Sequence, residues 1–232
     1  MIQKTIPLIL LLCILFRVPL RAGYTDHRGR NIDSLERVVA LNVDNANLYR
    51  ALNKLSASYL QSDPHLSARY ARRIVKEASS RGYYLIAADG AVNLSNLSRS
   101  RGQADSCLYW ALQAYDYLVQ ARELGYEPAG PDAEEELDDA SAKICGTTGN
   151  AYYEVGELQR AVDYFDKALQ VYEKYGWKES CSIALSNMGS VQEEMGDRKG
   201  AEKSHSRALA YARESGDSLI VAAAQMSLGE FY

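Results

Sequence analysis

The sequence predicts an all-α protein in which antiparallel helix pairs stack into a solenoid. Three observations support this prediction. A sparse pattern of small residues recurs with a period of about 40 residues, and residues that favour helices, mainly Ala, Leu, Glu and Arg, are abundant between few prolines. No segment alternates apolar and polar residues clearly enough to predict a sheet. Because one helix pair cannot bury its apolar face alone, recurring pairs are expected to pack on one another.

The first 22 residues differ from the rest of the chain. Lys4 precedes an uncharged run from Thr5 to Phe16, and the stretch RVPLRA follows and ends at Ala22. As a helix, this run reaches about 18 Å, whereas the hydrocarbon core of a bilayer is roughly 30 Å thick. Residues 1–22 are therefore predicted to be a secretory signal peptide cleaved after Ala22, with a short uncleaved anchor as the alternative. The protein is expected in the periplasm or on the extracytoplasmic face of the inner membrane, with no membrane span in the mature segment.

Removal of the signal peptide makes the chain more acidic. Loss of Lys4, Arg17 and Arg21 leaves 23 basic residues against 30 acidic residues. Nucleic-acid-binding domains usually carry a basic patch and a high isoelectric point, so the sequence predicts no nucleic-acid partner. The basic cluster between Arg69 and Arg81 is expected to be a solvated helix face.

The recurring pattern is clearest in two stretches, which start at Thr148 (TGNAYYEVGELQRAVDYFDKAL) and at Met188 (MGSVQEEMGDRKGAEKSHSRAL). They share Gly at the second and ninth positions, Ala at the fourteenth and Ala-Leu at the end. Weaker copies start at Leu55 and Leu94, and a partial copy starts at Leu228. The copies predict a solenoid over residues 47–232, with repeats at 47–85, 86–124, 139–178 and 179–218 and a partial fifth repeat at 219–232.

Two segments fall outside the repeats. Residues 23–46 are a lead-in, in which Asp33 and Glu36 predict a capping box for a short helix that starts near Ser34. Residues 125–138 are an insertion that contains two prolines and a run of acids. We expect its proline-containing part to form a surface excursion. Its acidic end should lead into the first helix of the third repeat, because carboxylates stabilise helix N termini.

Each repeat is predicted to form two helices separated by a glycine turn. In the third repeat, Gly156 is expected to adopt positive φ after the first helix, and residues 161–175 are expected to form the second helix. The small residues of the pattern should lie where helix backbones approach closely, and its aromatic residues should fill the space between successive pairs. The small residues are Gly149, Ala161 and Ala168, and the aromatic residues are Tyr152 and Phe165.

This pattern resembles the tetratricopeptide repeat, whose signature is a Leu-Gly pair followed by an aromatic residue, Gly, Ala, an aromatic residue and Ala. In the third repeat these positions hold Thr148-Gly149, Tyr152, Gly156, Ala161, Phe165 and Ala168. In the fourth repeat Gln192 and His205 replace the two aromatic residues. The resemblance covers residues 47–232 and implies a right-handed superhelix of helix pairs. The period is 40 residues here. The family's usual period is about 34 residues, so each helix gains about three residues.

After the predicted signal peptide, residues 33–78 have the sequence DSLERVVALNVDNANLYRALNKLSASYLQSDPHLSARYARRIVKEA. This region is similar to the N-terminal region of Bacteroidetes tetratricopeptide sensor proteins. In that group an extracytoplasmic array usually precedes a transmembrane helix and a histidine kinase, cyclase or DNA-binding output. Because the sequence ends inside the first helix of a repeat, we expect a fragment of such a protein. The alternative is a stand-alone periplasmic scaffold whose last helix caps the stack.

No pattern in the sequence predicts catalysis, a cofactor or a metal. His27, His65 and His205 stand apart and lack the spacing of a helical metal site. There is no glycine-rich phosphate loop or nucleophile elbow, and the acidic run lacks the spacing and glycine of a calcium loop. The chain is therefore predicted not to be an enzyme, with an unrecognised catalytic site as a distant alternative. The three cysteines outside the signal peptide are expected to be buried and unreactive. They are Cys107, Cys145 and Cys181.

The resemblance implies a binding groove for a protein or peptide partner. In tetratricopeptide arrays that bind peptides, the first helix of each pair lines a concave groove. The corresponding residues are Arg50, Asn53, Asp89, Asn93, Asn96, Arg99, Lys143, Asn150, Tyr153, Glu154, Asn187 and Glu193. The Asn side chains are of most interest, because an amide can both donate to and accept from a peptide backbone. Asn53 and Ala57 stand where a carboxylate clamp would have Lys and Asn, so a chaperone tail is not the expected ligand.

The end of the sequence suggests a second kind of contact. Leu228, Phe231 and Tyr232 are expected to form the apolar face of a helix without a partner. An exposed apolar patch of this kind can serve as an interface. Self-association through this helix is therefore a further option.

Overall fold

The computed structural model describes residues 28–41, 43, 45–124 and 133–231. The predicted signal peptide, residues 1–22, and most of the predicted insertion, residues 125–132, lie outside the described residues. The described residues form ten helices, which correspond to two for each of the four predicted repeats, one for the partial fifth repeat and one for the lead-in. These are α1 (Arg28–Leu41), α2 (Ala46–Tyr59), α3 (Pro64–Ser79), α4 (Tyr84–Ser100), α5 (Ala104–Glu123), α6 (Ala133–Glu154), α7 (Leu158–Tyr175), α8 (Lys178–Glu194), α9 (Arg198–Ser215) and α10 (Ser218–Phe231).

The helices form a stack of pairs. Each helix from α2 to α9 packs against the next one along the chain. In the register of the repeats, the pairs are α2–α3, α4–α5, α6–α7 and α8–α9, and α10 follows the last pair. The first helices also contact one another, whereas contacts between successive second helices are marginal at most. This difference places the first helices on the inner side of the stack. No strand occurs among the described residues, and the predicted all-α solenoid is confirmed.

Six of the turns between helices repeat one backbone geometry. Gly156 has φ 79°, as predicted, and the amide of Glu157 donates to the carbonyl of Tyr152 at 2.9 Å, which closes the end of α6. A side chain would strain the backbone at this φ, which explains the glycine. Five further turns contain a positive-φ glycine, at Gly82, Gly102, Gly176, Gly196 and Gly216. The turns within pairs and between pairs are therefore alike, and the 40-residue period contains two similar helix–turn units.

The predicted start of the first helix is wrong. The helix α1 begins at Arg28, six residues before Ser34, so Asp33 lies inside the helix and cannot cap it. Glu36 instead accepts a hydrogen bond from the Tyr59 hydroxyl at 3.0 Å, which ties α1 to the end of α2. The local sequence suggested that Glu36 belongs to a capping box, but its carboxylate instead contacts the following helix.

The small residues of the repeat are buried as expected. Ala161 and Ala168 have no exposed surface, and a Cβ added to Gly149 would lie 2.9 Å from the ring of Phe165. Tyr152 and Phe165 lie in one buried cluster with Leu185 and Met188 of the next pair, in line with the prediction that they fill the space between pairs. They also make contacts within their own pair. Phe165 on α7 fills the space above Gly149 on α6, and Tyr152 stacks on Tyr164 of α7 with ring centroids 5.3 Å apart. These contacts join the two helices of one pair.

The acidic end of the predicted insertion is helical and belongs to α6. Residues 133–138 extend this helix at its N terminus. The Lys174 ammonium, near the end of α7, donates to Glu134 at 2.9 Å and to Asp138 at 2.8 Å. The Tyr175 hydroxyl also donates to Asp138, at 3.0 Å. The third pair is therefore longer than the repeat predicted at 139–178.

The cysteine and C-terminal predictions have different outcomes. All three described cysteines are buried and free, as expected, and burial raises the pKa of each thiol. The apolar face expected at the C terminus lies elsewhere on α10. Leu228 and Phe231 are partly buried, with the Phe231 ring 5.9 Å from that of His205, and Tyr232 lies outside the described residues. The large apolar side chains of α10 that are exposed are Leu219 and Met226.

Candidate binding groove

We define the groove as the face formed by the exposed sides of the first helices α2, α4, α6 and α8. All twelve side chains predicted for it lie on these four helices, and none is fully buried. Two lie on α2, four on α4, four on α6 and two on α8. Because successive first helices are in contact, residues from neighbouring repeats come together along the groove. They form three groups, described below from the N-terminal end.

The first group surrounds a cleft of about 170 Å³ between α2, α4 and α6. Three of the predicted groove residues line it, Arg50, Asp89 and Lys143. Its other lining residues are Leu85, Ile86, Glu136, Asp139 and Ala140, which the sequence did not indicate. Glu136 lies within the predicted insertion, so the 40-residue register gave no signal for it.

A relay of hydrogen bonds fixes the polar side of this cleft. The Asn93 amide nitrogen donates to the Asn53 carbonyl oxygen at 2.6 Å, and the Asn53 amide nitrogen donates to Asp89 Oδ2 at 3.0 Å. A carboxylate only accepts, so Asn53 must turn its nitrogen towards Asp89 and its oxygen towards Asn93. Three side chains predicted separately as groove contacts thus form one chain across α2 and α4.

The environment of Asp89 disfavours its charged form. Burial raises the pKa of this carboxyl to about 6, and the nearby Asp139 and Glu136 carboxylates also raise it. The Lys143 ammonium acts in the opposite direction. Lys143 is itself paired with Asp139, one turn away on α6. The cleft therefore holds a carboxyl whose pKa is raised well above that of an ordinary aspartate.

The second group lies between α4 and α6 and includes a charged side chain with an unsatisfied atom. The Nε atom of Arg99 is buried without a hydrogen-bond partner in the described part of the chain. Burial raises the pKa of Glu154, and the Arg99 charge opposes that shift. Burial, followed by a hydrogen bond to Glu194, raises the pKa of Tyr153 to about 12, so the phenol stays protonated at neutral pH. The side chain of Asn150 has no hydrogen-bond partner among the described residues.

The third group involves His205, which was not among the predicted groove residues. Glu193 on α8 accepts a hydrogen bond from Nε2 of His205 on α9, with the two atoms 2.5 Å apart. His205 is 1% exposed and its Nδ1 has no partner among the described residues. His205 therefore holds the Glu193 carboxylate from behind, and only part of that carboxylate faces the groove. Asn187, on the same helix, has no hydrogen-bond partner in the described part of the chain.

The described residues offer no metal centre and no membrane-spanning helix. No three His, Cys, Asp or Glu side chains among them come close enough to hold a metal ion. None of the described helices combines the length and the apolar character that crossing a bilayer requires. The arrangement along the groove is one of amides, charged side chains and a phenol that can form hydrogen bonds and ion pairs with a ligand.

Comparison with known proteins agrees with this architecture. Residues 144–214 match the family Tetratricopeptide repeat. No curated protein matches the chain. Among solved structures, BtubC (BKLC) from P. vanneervenii aligns with a TM-score of 0.63 and 18% identity, over 88% of this chain and 80% of that one. Aspartyl phosphate phosphatase F from Bacillus subtilis aligns with a TM-score of 0.67 and 15% identity, over 87% of this chain.

The family match and the two structural matches establish the fold. At such identities a structural match shows architecture alone, and this chain spans only 54% of the length of the phosphatase. The family match covers the third and fourth pairs, where the sequence pattern is clearest. Tetratricopeptide folds are generally non-catalytic scaffolds that bind protein partners. The chain is an all-α solenoid of the tetratricopeptide type, with tetratricopeptide repeats in residues 144–214.

Proposed function

We propose that this protein is a non-catalytic module that binds a protein or peptide partner in the groove. The observation that carries the proposal is the row of amide side chains on successive first helices. Asn96, Asn150 and Asn187 are partly exposed and have no hydrogen-bond partner among the described residues. An extended peptide laid along the groove would meet these amides in turn, and each can donate to one backbone group and accept from another.

The test of the groove is a double substitution with a matched control. Asn150→Ala combined with Asn187→Ala removes two amides from α6 and α8 without touching the buried core. A partner identified by photo-crosslinking from the groove should bind this variant at least about tenfold more weakly, which corresponds to roughly 1.4 kcal/mol. Gln170→Ala combined with Ser206→Ala, at exposed positions of α7 and α9, should bind like the parent. Equal binding by both variants would remove the groove from the proposal.

The proposed location is outside the cytoplasm. The support is the sequence of residues 1–22, with its basic start, short apolar run and terminal Ala22. Export with processing predicts that the mature protein begins at Gly23. N-terminal sequencing of the protein purified from cells tests this directly. A chain that retains Met1 in the cytoplasmic fraction would contradict export.

The proposed biological role is the sensor region of a membrane signalling protein, and a stand-alone periplasmic scaffold is the alternative. The similarity of residues 33–78 to sensor proteins favours the first role. A binding event can be transmitted only if the ligand favours one of two arrangements of the stack. The reading frame after the codon for Tyr232 distinguishes the two roles, since the sensor requires a transmembrane segment and an output domain downstream.

Self-association through α10 is also proposed. Leu219 and Met226 are 55% and 40% exposed and lie two turns apart on this helix. Light scattering of the purified protein across a concentration series should show a dimer that Met226→Lys weakens. A parent protein that stays monomeric at every concentration would exclude this interface.

A further inference from the structure

The cleft at the N-terminal end of the groove has an excess of negative charge. Its ionisable lining consists of three acids and two bases, namely Asp89, Glu136, Asp139, Arg50 and Lys143. Lys143 is already paired with Asp139 on the same helix. Among the described residues Asp89 accepts one hydrogen bond, from Asn53 to Oδ2, so its Oδ1 keeps its lone pairs for the cleft.

We propose that this cleft binds the basic end of a Lys or Arg side chain carried by the partner, with Asp89 as its counter-ion. The inference rests on the proposed function, because it assigns part of the groove to one feature of the ligand. The cationic group would approach Oδ1 while the Asn93–Asn53 relay holds Oδ2 in place. Leu85, Ile86 and Ala140 would pack against the methylene groups of the inserted side chain.

The size and composition of the cleft favour an organic cation over other ligands. Its volume of about 170 Å³ greatly exceeds the roughly 10–15 Å³ that a single water requires. Because Lys143 is paired with Asp139, the remaining charged lining is Asp89 and Glu136 against Arg50, which disfavours an anionic group. A metal ion needs converging ligands, and the described residues contain no set of three that could hold one. A cation beside Asp89 would favour the charged form that burial disfavours.

Binding should depend on pH through Asp89. The charged groups that face this carboxyl from α6 are Lys143, Asp139 and Glu136, and Arg50 on α2 also lines the cleft. With the pKa of Asp89 at about 6, the carboxyl is mostly ionised at pH 7.5 and mostly protonated at pH 5. Only the ionised form can pair with a cation. The affinity for a lysine side chain should therefore fall about tenfold between these two pH values.

The experiment uses a small probe, so it needs no identified partner. The ¹⁵N-labelled protein is titrated with Nα-acetyl-lysine N-methylamide, and the side-chain amide signals of Asn53 and Asn93 are followed by NMR. These signals should shift with the lysine probe and stay in place with its Nε-acetylated analogue, which carries no charge. Equal shifts with both probes, or no shift at the solubility limit of the lysine probe, would overturn the inference.

Two substitutions complete the test. Asp89→Asn keeps the size of the side chain and its ability to accept from Asn53, and it should weaken binding of the lysine probe at least about tenfold. Asp116→Asn, at an exposed position of α5, should leave binding unchanged. Urea melts of both variants establish that they are folded. A folded Asp89→Asn protein that binds the probe like the parent would also overturn the inference.

Failure of this inference can be told apart from failure of the proposed function. A partner that requires Asn150 and Asn187 but is indifferent to Asp89→Asn would refute the lysine cleft and leave the groove as the binding surface. If the lysine probe binds at Asp89 while the partner is indifferent to every groove substitution, the cleft stands and the proposed function fails.

Discussion

The imidazole ring of His205 lies so close to Gly189 that a Cβ added to this glycine would come within 2.6 Å of the ring. In the preceding pair the ring of Phe165 lies against Gly149 in the same way, at 2.9 Å. His205 therefore occupies in the fourth pair the position that the ring of Phe165 holds in the third pair. Unlike a phenylalanine ring, the buried imidazole has polar nitrogens, and Glu193 accepts a hydrogen bond from one of them, Nε2.

The contact at Gly189 predicts the effect of the smallest substitution. Gly189→Ala should destabilise the protein, because the buried ring of His205 has to move, and overpacking of this kind costs about 1–3 kcal/mol. The gain in helix propensity, about 1 kcal/mol, offsets only part of this cost. The midpoint of a urea melt should fall. Gly146→Ala is the control, because its Cβ would meet only the Tyr172 hydroxyl at 3.9 Å, and its midpoint should rise.

The His205–Glu193 pair gives a second prediction. Glu193→Ala should destabilise the protein by about 1–3 kcal/mol, because both nitrogens of a buried imidazole would then lack partners. His205→Phe should be neutral or stabilising, since it restores the ring seen at Phe165 and removes the unsatisfied Nδ1 atom. The urea midpoint of Glu193→Ala should fall, and that of His205→Phe should stay the same or rise. A lower midpoint for His205→Phe would mean that the hydrogen bond to Glu193 outweighs the unsatisfied nitrogen.

The position of Ala161 predicts the effect of enlarging a small residue of the repeat. Ala161 has no exposed surface and faces the α6–α7 contact. Ala161→Leu should overpack this contact and lower the free energy of unfolding by about 1–3 kcal/mol. Ala210→Leu, at an exposed position of the second helix α9, should change it by no more than about 0.5 kcal/mol. Equal urea midpoints for the two variants would refute the placement of Ala161.

Asp89 should make stability depend on pH in a direction unusual for a carboxyl. Its pKa is raised from 3.8 to about 6, chiefly by burial, so the folded protein binds this proton more tightly than the unfolded chain does. The resulting stabilisation is present below pH 3.8 and is lost as the pH rises through about 6. Asp89→Asn should abolish this change. The difference between parent and variant in urea melts should therefore grow in favour of the variant from pH 4.5 to 7.5, and a constant difference would refute it.

The segment before α6 should tolerate a deletion. Deleting residues 127–133 removes only the first residue of α6 and leaves Glu134 and Asp138, which contact Lys174. Far-UV circular dichroism should show nearly unchanged helicity. A cooperative loss of helix would mean that the segment contributes to the core.

The sequence by itself determined the architecture of this protein. Gly149, Ala161 and Ala168 recur because helix backbones approach closely there, and glycines such as Gly156 recur because the turns require positive φ. These constraints act within one helix pair, so they leave the same pattern in each copy. The helix start near Ser34 was mispredicted, since α1 begins at Arg28 and Glu36 contacts Tyr59, 23 residues away, instead of capping a helix.

Only the tertiary structure decided how the groove residues are paired. Asn53 meets Asp89 and Asn93 across 36 and 40 residues, about one repeat, so the pairing depends on how neighbouring first helices are set against each other. The cleft also depends on the N-terminal extension of α6, which brings Glu136 beside Asp89. A 40-residue pattern identifies which helix a side chain belongs to. Packing between helices fixes its partner, its burial and hence the pKa of Asp89.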